Sequence, residues 1–373
     1  MKIYNAKVFL RKEFVRGGVE FDTKIRSAGA DITDGEIDAQ GGYLIPGLID
    51  IHTHGAVGVD VSDGVPDGLT KLGEYYAASG VTSWCPTTMT LKKDELLVAI
   101  RSIGKYQRTP AGAKMAGIHL EGPFISYEKR GAHKAENITN PDLDLFASLV
   151  SASGNNIAKM TIAPELPGAI PMMQEMIRHC AISLGHTNAD YETARQAFWA
   201  GATQVTHLFN AMPPMLHRAP GVIVAAMEEG ASAEIICDGL HVHPSMVRLA
   251  FSMFGWETVL ISDSLRCAGM PDGEYELGGQ QIVLKDHVAK LKDQDTLAGS
   301  VIHLMDAVRY AHQVVHLPLV RAVYAATKAP ARAIRRDDIG QIAPGKCADL
   351  VLLDEDLNVK AVWIDGVRVP AEN

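Results

Sequence analysis

Two histidines one residue apart, His52 and His54, close the apolar run Leu48-Ile49-Asp50-Ile51. In an extended strand successive side chains alternate, so His52 and His54 face one side while Thr53 faces the other. Both imidazoles can then reach a single ion. Further along, Glu121, His186, His207 and Asp263 each follow a short apolar stretch of their own. Imidazole nitrogen and carboxylate oxygen suit zinc, iron(II), manganese or cobalt, whereas magnesium and calcium favour oxygen alone. The chemistry this set implies is metal-assisted hydrolysis, with Asp263 taking a proton from an activated water and passing it to a leaving amine. The bland alternative for Asp263 is a helix cap, but a water nucleophile needs a proton acceptor beside it.

Residues so far apart in sequence share a site only if the elements before them converge. Eight short apolar or β-branched runs, each followed by a helical pattern, occupy 44–54, 81–88, 114–122, 157–165, 180–187, 203–211, 233–239 and 258–264. That alternation predicts a (β/α)8 TIM barrel, which delivers every strand's C-terminal end to one face. Four histidines and two acids then share one rim. Between the strands, Ala194, Ala197 and Phe198 define one helical face that ends near Gly201, with Asn188 as the expected N-cap. Turn signals at Pro271-Asp272-Gly273 and Gly278-Gly279 predict a hairpin excursion over 265–298, a lid or insertion.

The chain's two ends, 1–43 and 340–373, alternate as short strands around Gly and Asp turns, and neither is long enough to bury a core alone. They are expected to pair into one small β-sandwich domain beside a barrel domain spanning 44–339. The hydrophobic fraction of 47% and charged fraction of 21% are those of an ordinary globular protein. A net charge of −9 gives no long-range attraction for nucleic acid. The N-terminal apolar run is too short for a signal peptide, and no later run approaches a membrane span. Five widely spaced cysteines without a C-x-x-C pair argue against a disulfide framework and for a reducing cytoplasm.

Residue types alone leave the bridging ligand open, because Glu121 and Glu165 both follow strands. His119 lies on the face of Glu121 but one layer deeper, which suits a satisfied core histidine. No lysine stands at a strand end within 157–165, which argues against a carboxylated-lysine bridge.

The strings PGLIDIHTHG (46–55), HLEGPF (119–124), GAH (131–133), GHTNA (185–189), THLFNAM (206–212), HRAPG (217–221), DGLH (238–241), ISDS (261–264) and PDGEYELGG (271–279) run through nearly the whole chain. Together they resemble the N-acetylglucosamine-6-phosphate deacetylases of the amidohydrolase superfamily. The resemblance implies that Glu121, His186 and His207 hold a metal, leaving Glu165 a structural role. Some family members lack the H-x-H pair and use one metal, so His52 and His54 here provide for a second. It implies a divalent transition metal, one or two per subunit, with Asp263 protonating the departing nitrogen. His133, in the loop 122–140, matches a family histidine that polarises the acetyl carbonyl. Arg218, with the backbone around Asn210 and Ala211, matches phosphate contacts; His241 and the segment Leu297, Ala298 and Gly299 match contacts to the sugar. Relatives are usually homodimers, in which Arg218 would serve the neighbouring subunit. Ser264-Leu265-Arg266 departs from the small residues many relatives carry, and Arg266 would bear on substrate choice. Two other readings stand beside this one: deacetylation of the galactosamine epimer or another amidohydrolase reaction, and a scaffold without catalysis. The scaffold reading predicts missing ligands or a missing acid, and none is missing.

Overall fold

The computed structural model of the protein describes residues 1–370. Its centre is a ring of eight strands, Leu48–Thr53, Val81–Thr88, Ile118–Glu121, Ile157–Ile162, Ala181–Leu184, Gln204–Val205, Ser232–Ile236 and Thr258–Ile261, each parallel to its neighbour. The ring closes where Asp263 N–H donates to the His52 carbonyl and His54 N–H to the Ser264 carbonyl, both at 2.9 Å. Helices cover the outside, so these strands are buried on both faces and read as continuous apolar runs.

One such run proves to be two strands. Tyr43–Pro46 belongs to the flanking sheet, antiparallel to Leu350–Leu353 and parallel to Lys2–Leu10. Gly47 then crosses to the barrel, packed so tightly that a Cβ there would lie 2.0 Å from the Thr82 hydroxyl oxygen. Apolar residues on both sides of Pro46-Gly47 make the change of sheet easy to read as one strand.

The helix after the fifth strand, Tyr191–Trp199, buries Ala194, Ala197 and Phe198 as its spacing requires. Its N-cap is Asp190, which accepts from Thr193 N–H at 2.8 Å, rather than Asn188. Asn188 lies two residues before the cap, its N–H donating to Glu165 Oε1 at 2.5 Å and its Nδ2 to Glu128 Oε2 at 2.7 Å. Gly201, at φ +113°, takes the chain away from the helix end.

Both ends of the chain meet in the flanking β domain. Its strands run in the order Val367–Arg368, Val359–Ile364, Leu350–Leu353, Tyr43–Pro46, Lys2–Leu10, Glu13–Phe21, Ile25–Gly29. Ile3, Val8, Val19, Phe21, Leu44, Leu350 and Trp363 give it a core of its own. The excursion after the eighth strand is a three-stranded antiparallel lid, Gly273–Leu277, Gln280–Lys285 and Val288–Leu291. Leu277, Ile282, Leu284, Ala289, Leu291 and Ala298 pack it onto Met89 and Leu265 at the barrel mouth. Among the described residues no helix is long and apolar enough to cross a membrane.

Trp363 is 1% exposed and meets Phe21 edge-on at 6.3 Å, joining the last strands to the first. Trp363→Ala should cost about 3–5 kcal/mol. Denaturant unfolding would read this as a lowered midpoint, and an unchanged midpoint would show that the terminal strands do not support the fold.

Candidate metal-dependent active site

The barrel rim gathers a buried polar cluster around Glu121. Its Oε1 lies 3.3 Å from His52 Nε2, 3.2 Å from His186 Nε2 and 3.1 Å from His207 Nε2; its Oε2 lies 3.1 Å from His54 Nε2 and 3.3 Å from His133 Nε2. Asp263 Oδ1 sits 3.4 Å from His52 Nε2 and 3.3 Å from His54 Nε2. Two groups therefore have ligand atoms close enough to hold an ion each, His52 with His54 and Asp263, and Glu121 with His186 and His207. His52 Nε2 is buried without a hydrogen-bond partner while it faces two carboxylates, which is the arrangement expected of a ligand nitrogen. Nitrogen and oxygen donors of this kind fit a divalent transition metal.

Backbone strain aims these side chains. His186, His207 and Asp263 stand just past their strands at φ of +47°, +27° and +50°. A non-glycine residue held there costs on the order of 1–3 kcal/mol, a strain that concentrates at functional sites. The sharp turn directs each side chain across the mouth of the barrel instead of along the strand.

Electrostatics follow from burial and mutual charge. Burial alone would depress His52, but Glu121, Asp263 and Glu234 overcome it and lift the pKa to about 9. Burial alone would raise Asp263, yet His52 and His54 hold it at about 2. Glu121, likewise raised by burial, is kept well below the usual carboxylate range by the surrounding histidines. His133 goes the other way, pushed down to about 4 chiefly by burial. Thr90 N–H donates to its Nδ1 at 3.1 Å, so the proton of its neutral ring sits on Nε2, facing Glu121 and the cavity.

The sequence profile of the Amidohydrolase family matches residues 43–369. The chain belongs to the amidohydrolase family. It is 36% identical over 335 residues to the N-acetylgalactosamine-6-phosphate deacetylase of Escherichia coli O157:H7, covering 89% of this chain and 88% of that protein. It is 34% identical over 327 residues to the N-acetylglucosamine-6-phosphate deacetylase of Vibrio furnissii, covering 87% and 82%. A Mycobacterium smegmatis N-acetyl-D-glucosamine-6-phosphate deacetylase, solved with N-acetyl-D-glucosamine-6-phosphate, matches with a TM-score of 0.93 at 32% identity over 99% of both chains.

In this amidohydrolase a cavity of about 420 Å³ opens onto the cluster, lined by His54, Glu121, His133, His186, His207 and Asp263 together with Asn210, Ala211, His241, Leu297 and Gly299. Ala298 is not among the lining residues: its side chain packs in the lid core, and its N–H donates to the Ala289 carbonyl at 3.0 Å. Arg218 also lies outside, exposed on a turn closed by Leu216 and Ala219. Arg266 does not line the cavity either, because its guanidinium reaches Asp63 at 2.6 Å and anchors the loop after the first strand. Glu165 accepts from Thr187 Oγ1 and Asn188 N–H, both at 2.5 Å, and so steadies the loop behind His186. His119 is satisfied by Thr87 and Thr161 at 3.2 and 2.8 Å, as a core histidine should be.

Lys129, Glu234 and Lys159 also belong to the site. Lys129 lines the cavity, and its carbonyl accepts from His186 Nδ1 at 2.7 Å, orienting that ring. Glu234 accepts from His52 Nδ1 at 3.1 Å and pairs with Lys159. A signal for the last two was present: each is a charge in the middle of an otherwise apolar strand, where burial demands a partner of opposite sign.

With the metal stripped, the elevated His52 pKa stabilises the fold below its unfolded value near 6.5, and that contribution is lost as pH rises through about 9. Thermal melts of the metal-free protein should fall across this window, and His52→Asn should flatten the slope. Parallel slopes in the two proteins would show that His52 carries no such charge.

Proposed function

We propose that this amidohydrolase hydrolyses the acetamide of N-acetylglucosamine-6-phosphate to acetate and glucosamine-6-phosphate. The observation that carries the reading is a cavity with a metal-ligating cluster and Asp263 on one wall and Lys129, Asn210, Ala211 and His241 among its other lining residues. The likeness to hexosamine-6-phosphate deacetylases, and to one of them solved with this sugar phosphate, supports it.

His52, His54 and Asp263, and Glu121, His186 and His207, would hold one or two divalent ions per subunit. A bound metal supplies Lewis-acid polarisation and a more acidic water. His133 presents Nε2–H to the acetyl carbonyl oxygen, where negative charge develops during attack. Asp263 Oδ1 accepts the proton of the attacking water and returns it to the sugar nitrogen as the C–N bond breaks. The lid strap Leu297–Gly299 covers the sugar and limits water at the reacting carbon.

Lys129 is the one lysine or arginine among the described residues that line the cavity, so in an acidic chain it is the full cation this cavity offers a phosphate. His241 adds to this: burial opposes its charge, but the Asp238 carboxylate at 2.7 Å raises its pKa above the ordinary value. Arg218 serves the site of a second copy, and the exposed Met215 and Leu216 beside it, at 38% and 54%, suit a homodimer contact. Five buried free thiols support a reducing, cytoplasmic location.

Acetate release should be fastest with N-acetylglucosamine-6-phosphate, slower with its galacto epimer and slowest with the unphosphorylated sugar. A preference for the epimer would reassign the substrate, and a preference for the free sugar would remove the phosphate contacts. Asp263→Asn should lower kcat by about 10²–10⁴-fold with the protein still folded. Lys129→Ala, which spares the backbone carbonyl held by His186, should raise KM about tenfold or more; an unchanged KM would take Lys129 out of substrate binding.

A further inference from the structure

Beneath the metal-ligating rim lies a second charged layer that the reaction does not touch. Lys159, in the middle of the fourth barrel strand, and Glu234, on the seventh, are 0% and 1% exposed and form an ion pair across the barrel interior. Lys159 Nζ meets Glu234 Oε1. The other oxygen, Oε2, accepts from His52 Nδ1 at 3.1 Å and from the backbone N–H of His207 at 3.4 Å. The Glu234 carbonyl accepts from Leu208 N–H at 2.7 Å. One residue thus holds the ring of a ligand in one group and the backbone of a ligand in the other.

We propose that Lys159 and Glu234 act as a buried positioning pair that fixes the His52 ring, and with it the ion held by His52, His54 and Asp263. A carboxylate only accepts, so a bond to Glu234 keeps a proton on Nδ1 and leaves Nε2, which faces Glu121 and Asp263, as the nitrogen that an ion there would take. The other ligand rings have no such carboxylate. His186 Nδ1 meets a backbone carbonyl, and Nδ1 of His54 and of His207 has no partner among the described residues. Buried among apolar strands, Glu234 would be a costly isolated anion, and the Lys159 ammonium, itself fully buried, offsets that cost. His119 packs edge-on against His52 at 4.5 Å and further confines the ring.

The inference rests on the metal part of the proposed function and not on its substrate, so its test measures metal binding. Zinc is titrated into stripped protein against a chromophoric chelator, with melting temperature as a check on folding. Removing one partner alone strands a buried charge, so paired substitutions are used. Glu234→Leu with Lys159→Met deletes the acceptor and both charges. The expected result is a folded protein whose affinity for one ion falls about 10–100-fold, approaching the stoichiometry of His52→Asn. Glu234→Gln with Lys159→Met keeps a carbonyl acceptor and should bind zinc within a few-fold of the wild type. Unchanged affinity for every ion in the Leu and Met variant would overturn the proposal. Ring-nitrogen NMR shifts of His52 in the zinc-loaded wild type give a reading independent of variant folding: protonated Nδ1 with ligated Nε2 is required, and the opposite tautomer refutes it. A wild type that binds no zinc would instead sink the metal reading itself.

Discussion

The carboxylate of Glu121 is the point on which the rim is organised. Its two oxygens face five imidazole rings between 3.1 and 3.3 Å, on a side chain that is almost wholly buried. In such surroundings a charge is tolerated only when opposite charge or a cation compensates it, so the histidines, Asp263 and any bound ion must be supplied together. The barrel makes that supply possible, because parallel strands end on one face whatever their distance in sequence.

Precision comes from what lies around and below this cluster. Left-handed backbone at His186, His207 and Asp263 redirects three side chains into the mouth. Glu165 steadies one of these turns, the Lys129 carbonyl orients a ring, and Glu234 with Lys159 holds another from beneath. The lid then converts an open rim into a cavity, because its apolar core seats on Met89 and Leu265. A cluster assembled from separate strands keeps its geometry only when such supports limit each ring's freedom.

Much of this was legible in the residues. The eight strand-helix repeats, the six rim residues and the lid hairpin each carry a local signal: an apolar run, an H-x-H spacing, a Pro-Asp-Gly turn. The crossing at Gly47 was marked only by the Pro46-Gly47 pair, since apolar residues continue on both sides of it in two different sheets. Asn188 illustrates the same limit: its side chain is a good cap, but Glu128 takes its amide and Glu165, at the end of the neighbouring strand, its backbone N–H.

The sequence by itself determined the kind of chemistry, because imidazole and carboxylate at strand ends restrict the ion, and alternation restricts which side chains share a face. The resemblance already favoured Glu121 over Glu165 as a ligand, and only the tertiary structure decided which residues line the cavity and which are turned away. Glu121 stands between the histidines while Glu165 braces a loop, Ala298 enters the lid core, and Arg218 lies outside this chain's own cavity. Lys159 and Glu234 make the reason plain. They are 75 residues apart, and their pairing exists only because the closed barrel places two interior positions face to face.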